Sequence, residues 1–181
     1  RALEDVTLRV EGAEDLTPYP GLTSFTEEDA EYFFGREAEI EHMWRKLEGP
    51  PRLLAIMGPS GAGKTSFIRA GLVTNAPPGW VCIRCTPGGS AFASLRGALT
   101  PELTADTRAL QALMVDPDNP DVIVDTVASW RRGHVGALLI VDQFEELFTL
   151  NGDEEQRGFA VLMGRFALET GVHVLLTMRD D

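Results

Sequence analysis

The sequence predicts an α/β fold in three layers, a parallel sheet covered by helices on both faces. Three observations carry this. Four short segments (Leu53-Leu54-Ala55-Ile56-Met57, residues 80–85, Leu138-Leu139-Ile140-Val141 and Val172-His173-Val174-Leu175-Leu176-Thr177) are near-continuously apolar, as strands buried on both faces are. Stretches of helical periodicity separate them, which is the pattern of βαβ units. A glycine-rich turn follows the first strand directly, and a helix follows the turn.

Each element can be justified in order. Residues 1–18 hold few apolar side chains and read as a linker or N-terminal extension, with Pro18-Tyr19-Pro20-Gly21 punctuating its end; the domain is expected over 19–181. Ser24 followed by Glu27 has the form of a capping box for a short helix through Glu28-Asp29-Ala30-Glu31. A second helix is expected over about 36–48, where Ile40, Met43, Trp44 and Leu47 form one apolar stripe, and Pro50-Pro51 stops it. The first strand, the turn and a helix to about residue 75 come next, and Pro77-Pro78-Gly79 leads into the strand at 80–85. Residues 90–132 are helical in pattern, with breaks at Pro101 and across 116–120. The third strand ends at Asp142, and a helix over about 153–169 leads through Gly171 to the fourth. No internal repeat is visible.

Composition narrows the function classes. With 181 residues, 44% hydrophobic and 24% charged, the chain matches one globular domain and excludes collagen-like, low-complexity and wholly disordered classes. No apolar run approaches the roughly 18–20 residues of a membrane span, and residues 1–14 contain no signal-peptide core. Because the chain starts at Arg1, a piece of a longer protein is expected. The net charge of −12 argues against nucleic acid and anionic membrane surfaces as partners of this piece. Of that charge, −8 lies in residues 1–48, with 13 acids against 5 bases, which reads as a solvated segment. Cys82 and Cys85 are the only cysteines, and no second pair completes a four-ligand zinc site. Three apart on a strand, their thiols are expected on opposite faces, as free thiols of a cytoplasmic protein.

The chemistry begins at Gly58-Pro59-Ser60-Gly61-Ala62-Gly63-Lys64-Thr65, which satisfies G-x-x-x-x-G-K-[ST], the phosphate-binding P-loop or Walker A motif. Glycines let the backbone wrap a phosphate, and N–H groups at a helix N-terminus favour anions. In that role Gly58, Ser60, Gly61, Ala62, Gly63, Lys64, Thr65 and Ser66 are the candidate nucleotide-binding residues. Lys64 is expected on the β- and γ-phosphates and the Thr65 hydroxyl on Mg²⁺. Only two of the 16 basic residues are lysine, Lys46 and Lys64, so lysine is used here against the habit of the chain. A compact ammonium suits this position better than a planar fork.

Asp142 at the end of the third strand is the expected second Mg²⁺ ligand, the Walker B carboxylate. ATPases that polarise water usually carry Glu immediately afterwards, but here that residue is Gln143. Glu145 or Glu146 is left as the candidate water-orienting base, against the plain reading of acids favoured at a helix N-terminus. Arg179, just past the fourth strand, lies on the sheet edge where ligands bind, and is a candidate γ-phosphate sensor; the alternative is an ion pair with Asp180 or Asp181.

Phe33-Phe34-Gly35-Arg36-Glu37 ahead of the P-loop resembles the "hhGRE" motif of STAND and AAA+ NTPases. The segment 139–148, Leu-Ile-Val-Asp-Gln-Phe-Glu-Glu-Leu-Phe, is similar to the Walker B segment of bacterial "novel STAND" NTPases, as are Tyr19-Pro20-Gly21-Leu22 with Phe25, and Thr177-Met178-Arg179 resembles their sensor strand. The resemblance spans about residues 18–181. It implies an ATP/ADP- and Mg²⁺-binding module of a large bacterial signalling ATPase with its own effector and sensor domains, in which nucleotide exchange controls activation and homo-oligomerisation. It places Phe34, Gly35 and Arg36 beside the adenine. With the residue readings above, the candidate catalytic set is Lys64, Asp142, Glu145, Glu146 and Arg179, with Thr65 and Asp142 expected on the metal. It also implies a five-strand sheet in the order 5-1-4-3-2 with a helical lid, so the chain is expected to be truncated after the fourth core strand.

Three readings follow. The first is a nucleotide-dependent regulatory switch that hydrolyses slowly; the others are a steady-turnover ATPase or small-molecule kinase, and an interaction module that uses nucleotide only as a structural ligand. Residues 86–135 carry no recognisable acceptor-site motif for a kinase, and no Asn-Lys-x-Asp guanine-reading segment occurs.

Overall fold

A computed structural model describes residues 23–116 and 119–180. The linker expected at 1–18 and the Tyr19-Pro20-Gly21-Leu22 motif lie outside the described residues.

Four strands, β1 (Leu53–Met57), β2 (Trp80–Cys85), β3 (Gly136–Val141) and β4 (His173–Met178), form one all-parallel sheet in the order β1-β4-β3-β2. The helices are α1 (Glu37–Leu47), α2 (Lys64–Ser66, continued with wider π-type turns over Phe67–Val73), α3 (Ala91–Leu99), α4 (Thr107–Val115), α5 (Pro120–Arg131), α6 (Glu146–Leu150) and α7 (Asp153–Arg165, continued over Phe166–Thr170). Strand alternation divides the core in two. Leu138, Ile140 and Leu175 pack with Ile40, Trp44, Leu47, Ile68 and Leu72 of α1 and α2. Leu139, Val141, Val174 and Leu176 point the other way, into the layer that holds α3, α4, α5 and α7. The three-layer α/β/α arrangement expected from the sequence is therefore present. Among the described residues, no helix is long and apolar enough to cross a membrane.

Local chemistry explains the helix starts. Asp106 accepts from the Ala109 N–H at 3.0 Å and caps α4; Asn119 accepts from the Asp121 N–H at 3.0 Å, with Pro120 opening α5. The α1 stripe behaves as its periodicity predicts, with Ile40, Trp44 and Leu47 buried and the Trp44 indole N–H donating to the Leu72 carbonyl at 3.1 Å. Cys82 packs toward the α1/α2 layer and Cys85 toward the opposite one, and burial pushes their thiols up to about 11 and about 12.

Two expectations are corrected. Leu53–Met57 is not buried on both faces: β1 is an edge strand among the described residues, bonded only to β4, so Leu53, Ala55 and Met57 are exposed while Leu54 and Ile56 are half-buried. The Ser24/Glu27 capping box does not form either. A single 3₁₀ turn occupies Ala30–Tyr32, ahead of which Asp29 accepts from the Thr26 N–H (2.7 Å) and hydroxyl (2.8 Å). Glu27 is drawn instead to Arg69, a charged partner that competes better than a backbone N–H.

Far from the P-loop, His173 is buried against Trp80 with ring centroids 5.1 Å apart, and its Nδ1 has no hydrogen-bond partner. Burial, then the charges of Arg52 and Arg131, hold its pKa below the ordinary value. The unfolded chain takes up a proton as pH falls through about 6.5, whereas the folded ring does so only at lower pH. Stability is therefore expected to fall as pH drops from about 6.5 toward the depressed folded value. Urea-unfolding midpoints measured from pH 7 to 5.5 should show this slope, and His173→Phe should flatten it; an unchanged slope in the variant refutes the assignment.

Candidate nucleotide site

Residues 58–65 join the end of β1 to α2. Gly61 and Gly63 sit at φ +76° and +78°, and a Cβ built on either meets nothing within 4 Å. Glycine is required here by backbone conformation, not by crowding. The space beside both residues is open, so the loop is a cradle whose floor is backbone. Lys64 folds back over it, its ammonium donating to the carbonyl oxygens of Gly58 (2.5 Å) and Pro59 (2.8 Å). Those contacts hold the cation over the cradle, where an anion would take it over.

The sheet order brings the remaining groups to the same edge, because β4 lies between β1 and β3. Asp142 follows β3 and is 3% exposed. Its Oδ1 accepts from the Thr177 hydroxyl at 2.5 Å and from the Gln143 N–H at 3.1 Å. The Thr177 hydroxyl oxygen also accepts from that Gln143 N–H (3.0 Å), and its carbonyl accepts from the Phe144 N–H (2.7 Å). Gln143 adopts φ +55°, a left-handed conformation uncommon for a non-glycine residue. The turn thus ties the ends of β3 and β4 together and fixes one carboxylate oxygen. Next, Glu145 accepts from the Arg179 N–H at 3.3 Å and Glu146 from the Gly88 N–H at 3.2 Å, in the loop after β2.

A cleft of about 620 Å³ collects Ser60, Gly61, Ala62, Gly63, Lys64, Thr65, Ser66, Asp142, Glu145, Glu146 and Arg179. On the other side of the loop, a cleft of about 640 Å³ against α1 holds Arg36, Gly58, Ala62, Gly63 and Lys64 with His42, Met43, Ile56 and Phe67. The Arg36 guanidinium lies 5.8 Å from the Phe67 ring centre. Phe34 and Gly35 line neither cleft. Phe34 is 76% exposed in a separate depression with Glu37 and Glu41, and the Gly35 N–H donates to the Glu37 carboxylate. Of that motif Arg36 lines the cleft beside the loop, while Phe33 packs inward against α2 at Gly71.

Sequence reasoning did not single out Thr177 as a site residue, nor Ser24 and Phe25, which border the first cleft. A hydroxyl at the end of an otherwise apolar strand beside Asp142 was the available signal for Thr177. For Phe25 the signal was its place in the motif with Tyr19-Pro20-Gly21-Leu22, but its contact with Ser66, 41 residues on, is what sets it beside the cleft. The donor set suits a magnesium nucleotide: a Thr hydroxyl and a fixed carboxylate are hard oxygen ligands, and the cradle offers backbone N–H groups. Among the described residues, no group of three or more His, Cys, Asp or Glu could hold a metal by itself.

Comparisons with known proteins bear on the fold and the family. A Walker-type ATPase of Pyrococcus abyssi (PABY2304) superposes with a TM-score of 0.62 at 18% identity, covering 87% of this chain and 48% of its own. The chain therefore spans about half the length of that protein. EccC of Thermomonospora curvata (ATPases 2 and 3, in complex with a signal sequence peptide) matches at a TM-score of 0.35 and 18% identity, over 70% of this chain and 25% of its own. No curated protein matches. The family model "Novel STAND NTPase 1" matches residues 18–181, spanning the P-loop, the Asp142 turn and the strand that ends beside it. Fold, loop and sequence thus converge: the chain belongs to the Novel STAND NTPase 1 family.

Proposed function

We propose that this domain binds ATP and ADP with Mg²⁺ as the switch module of a multidomain signalling ATPase in the cytoplasm. Nucleotide exchange would control activation and homo-oligomerisation through its own effector and sensor domains. Lys64 and the 60–66 backbone would hold the phosphates, Thr65 and Asp142 the metal, and the cleft containing Arg36 the base. Bound Mg²⁺ would supply charge neutralisation between the phosphates.

The observation that carries the switch reading is the engagement of the acids after Asp142. Neutral Gln143 occupies the adjacent position, and Glu145 and Glu146 are each held by a backbone N–H of a different loop, after β4 and after β2. A carboxylate that must release a loop before it orients water couples hydrolysis to loop position, and makes hydrolysis slow while the loops stay closed. Nothing comparable favours a fast enzyme.

The test is to denature the purified chain, identify any released nucleotide by chromatography, and measure ATP turnover with Mg²⁺. Retained or readily exchanged ADP is expected, with turnover far below the roughly 10 s⁻¹ typical of enzymes. An empty site with turnover near that value would sink the proposal.

A further inference from the structure

One feature of the cleft belongs neither to the phosphate cradle nor to the core. Residues 23–27 run along α2, the helix that begins at the P-loop, and are fastened to it directly at two points and at a third through Phe33. The Phe25 N–H donates to the Ser66 hydroxyl at 3.0 Å. Arg69 grips Glu27, its Nε reaching both carboxylate oxygens (3.2 and 3.0 Å) and its Nη2 reaching Oε2 (2.7 Å). The Phe25 ring meets Phe33 edge-on at 5.8 Å, and Phe33 lies against Gly71, where an added Cβ would come within 3.0 Å of the ring. Ser24 and Phe25 then form a wall of the cleft that holds Thr65 and Asp142.

Ion pairs on open surface contribute little. This one is bidentate, with the Arg69 side chain 24% and the Glu27 side chain 37% exposed. The contact also holds the Glu27 carboxyl below the usual carboxylate range, so the pair stays ionised at neutral pH. All three fastenings fall within seven residues of Lys64, on the element that a bound phosphate would order.

We infer that residues 23–27 are a strap closing one side of the nucleotide cleft, with Glu27 and Arg69 as positioning residues that set how long nucleotide stays bound. The inference rests on the proposed nucleotide site.

Stopped-flow release of a fluorescent ADP analogue with Mg²⁺ from the full chain tests it. Glu27→Gln or Arg69→Gln should speed dissociation about tenfold, the scale of one charge-assisted bidentate contact, with association changing less. The swapped pair E27R/R69E should restore slow release, which a merely destabilised fold would not do. Ser66→Ala, a milder change, should speed release in the same direction. If the unaltered chain binds the analogue but release is unchanged in E27Q and S66A, the strap is refuted and the nucleotide site stands. If the unaltered chain does not bind it, both fail.

Discussion

Replacing Lys64 with Ala is expected to weaken ATP and ADP binding by at least about a hundredfold while leaving the domain folded. The ammonium lies 2.5 and 2.8 Å from the Gly58 and Pro59 carbonyls, so its position over the cradle is already fixed before any anion arrives. Contacts to charged groups contribute about 1.5–3 kcal/mol each, and truncating one partner of a desolvated charge pair costs about 2–5 kcal/mol. At about 1.4 kcal/mol per tenfold, a hundredfold loss lies within that range. The fold should survive because Lys64 opens a helix, where alanine is well tolerated. Lys64→Arg should fail nearly as badly, since a planar fork cannot replace a compact cation gripping two neighbouring carbonyls. Lys46, the only other lysine, is exposed on α1, so Lys46→Ala serves as the matched control and should bind normally. Calorimetric titration with ADP decides the matter; equal affinity in K64A and K46A would overturn the P-loop assignment.

Features set by short-range chemistry could be read from the sequence. The Gly61 and Gly63 conformations, the stripe Ile40-Trp44-Leu47, the divergence of Cys82 and Cys85 and the placement of Asp142 at a strand end all follow from spacing along one element. Features set by partners distant in sequence could not. Leu53–Met57 has the composition of a central strand, but its neighbour on one side decides whether both faces are covered. Glu27 has the spacing of a cap, yet Arg69, 42 residues later, offers a stronger partner. Phe34 stands in a motif that suggests a base-binding wall, and the start of α1 turns it out to solvent. Thr177 ends an apolar strand with a hydroxyl, but its partner Asp142 lies 35 residues earlier and meets it only because β4 pairs with β3.

That pairing underlies the second large effect. Asp142→Asn is expected to abolish the tightening of ATP binding by Mg²⁺ with little change in stability. The amide oxygen can still accept from the Thr177 hydroxyl and the Gln143 N–H, so the turn is kept while the charge is lost. Asp142→Ala removes both and leaves the Thr177 hydroxyl, 1% exposed, short of its acceptor. An unsatisfied buried group costs about 1–3 kcal/mol, and about 1 kcal/mol shifts the midpoint of a domain of this size by roughly 2–4 °C. The alanine variant should therefore lose Mg²⁺ dependence and thermal stability together, and the asparagine variant only the first. Thr177→Val keeps the charge but frees the carboxylate from its fixed orientation, and should give partial loss of Mg²⁺ dependence. ATP titrations with Mg²⁺ and with EDTA, beside thermal melts, separate the three. If D142N still binds ATP more tightly with Mg²⁺ than without, this carboxylate is not a metal ligand. The Gln143 turn would then be a structural knot between β3 and β4, and Thr65 would be left without the partner that a magnesium site needs.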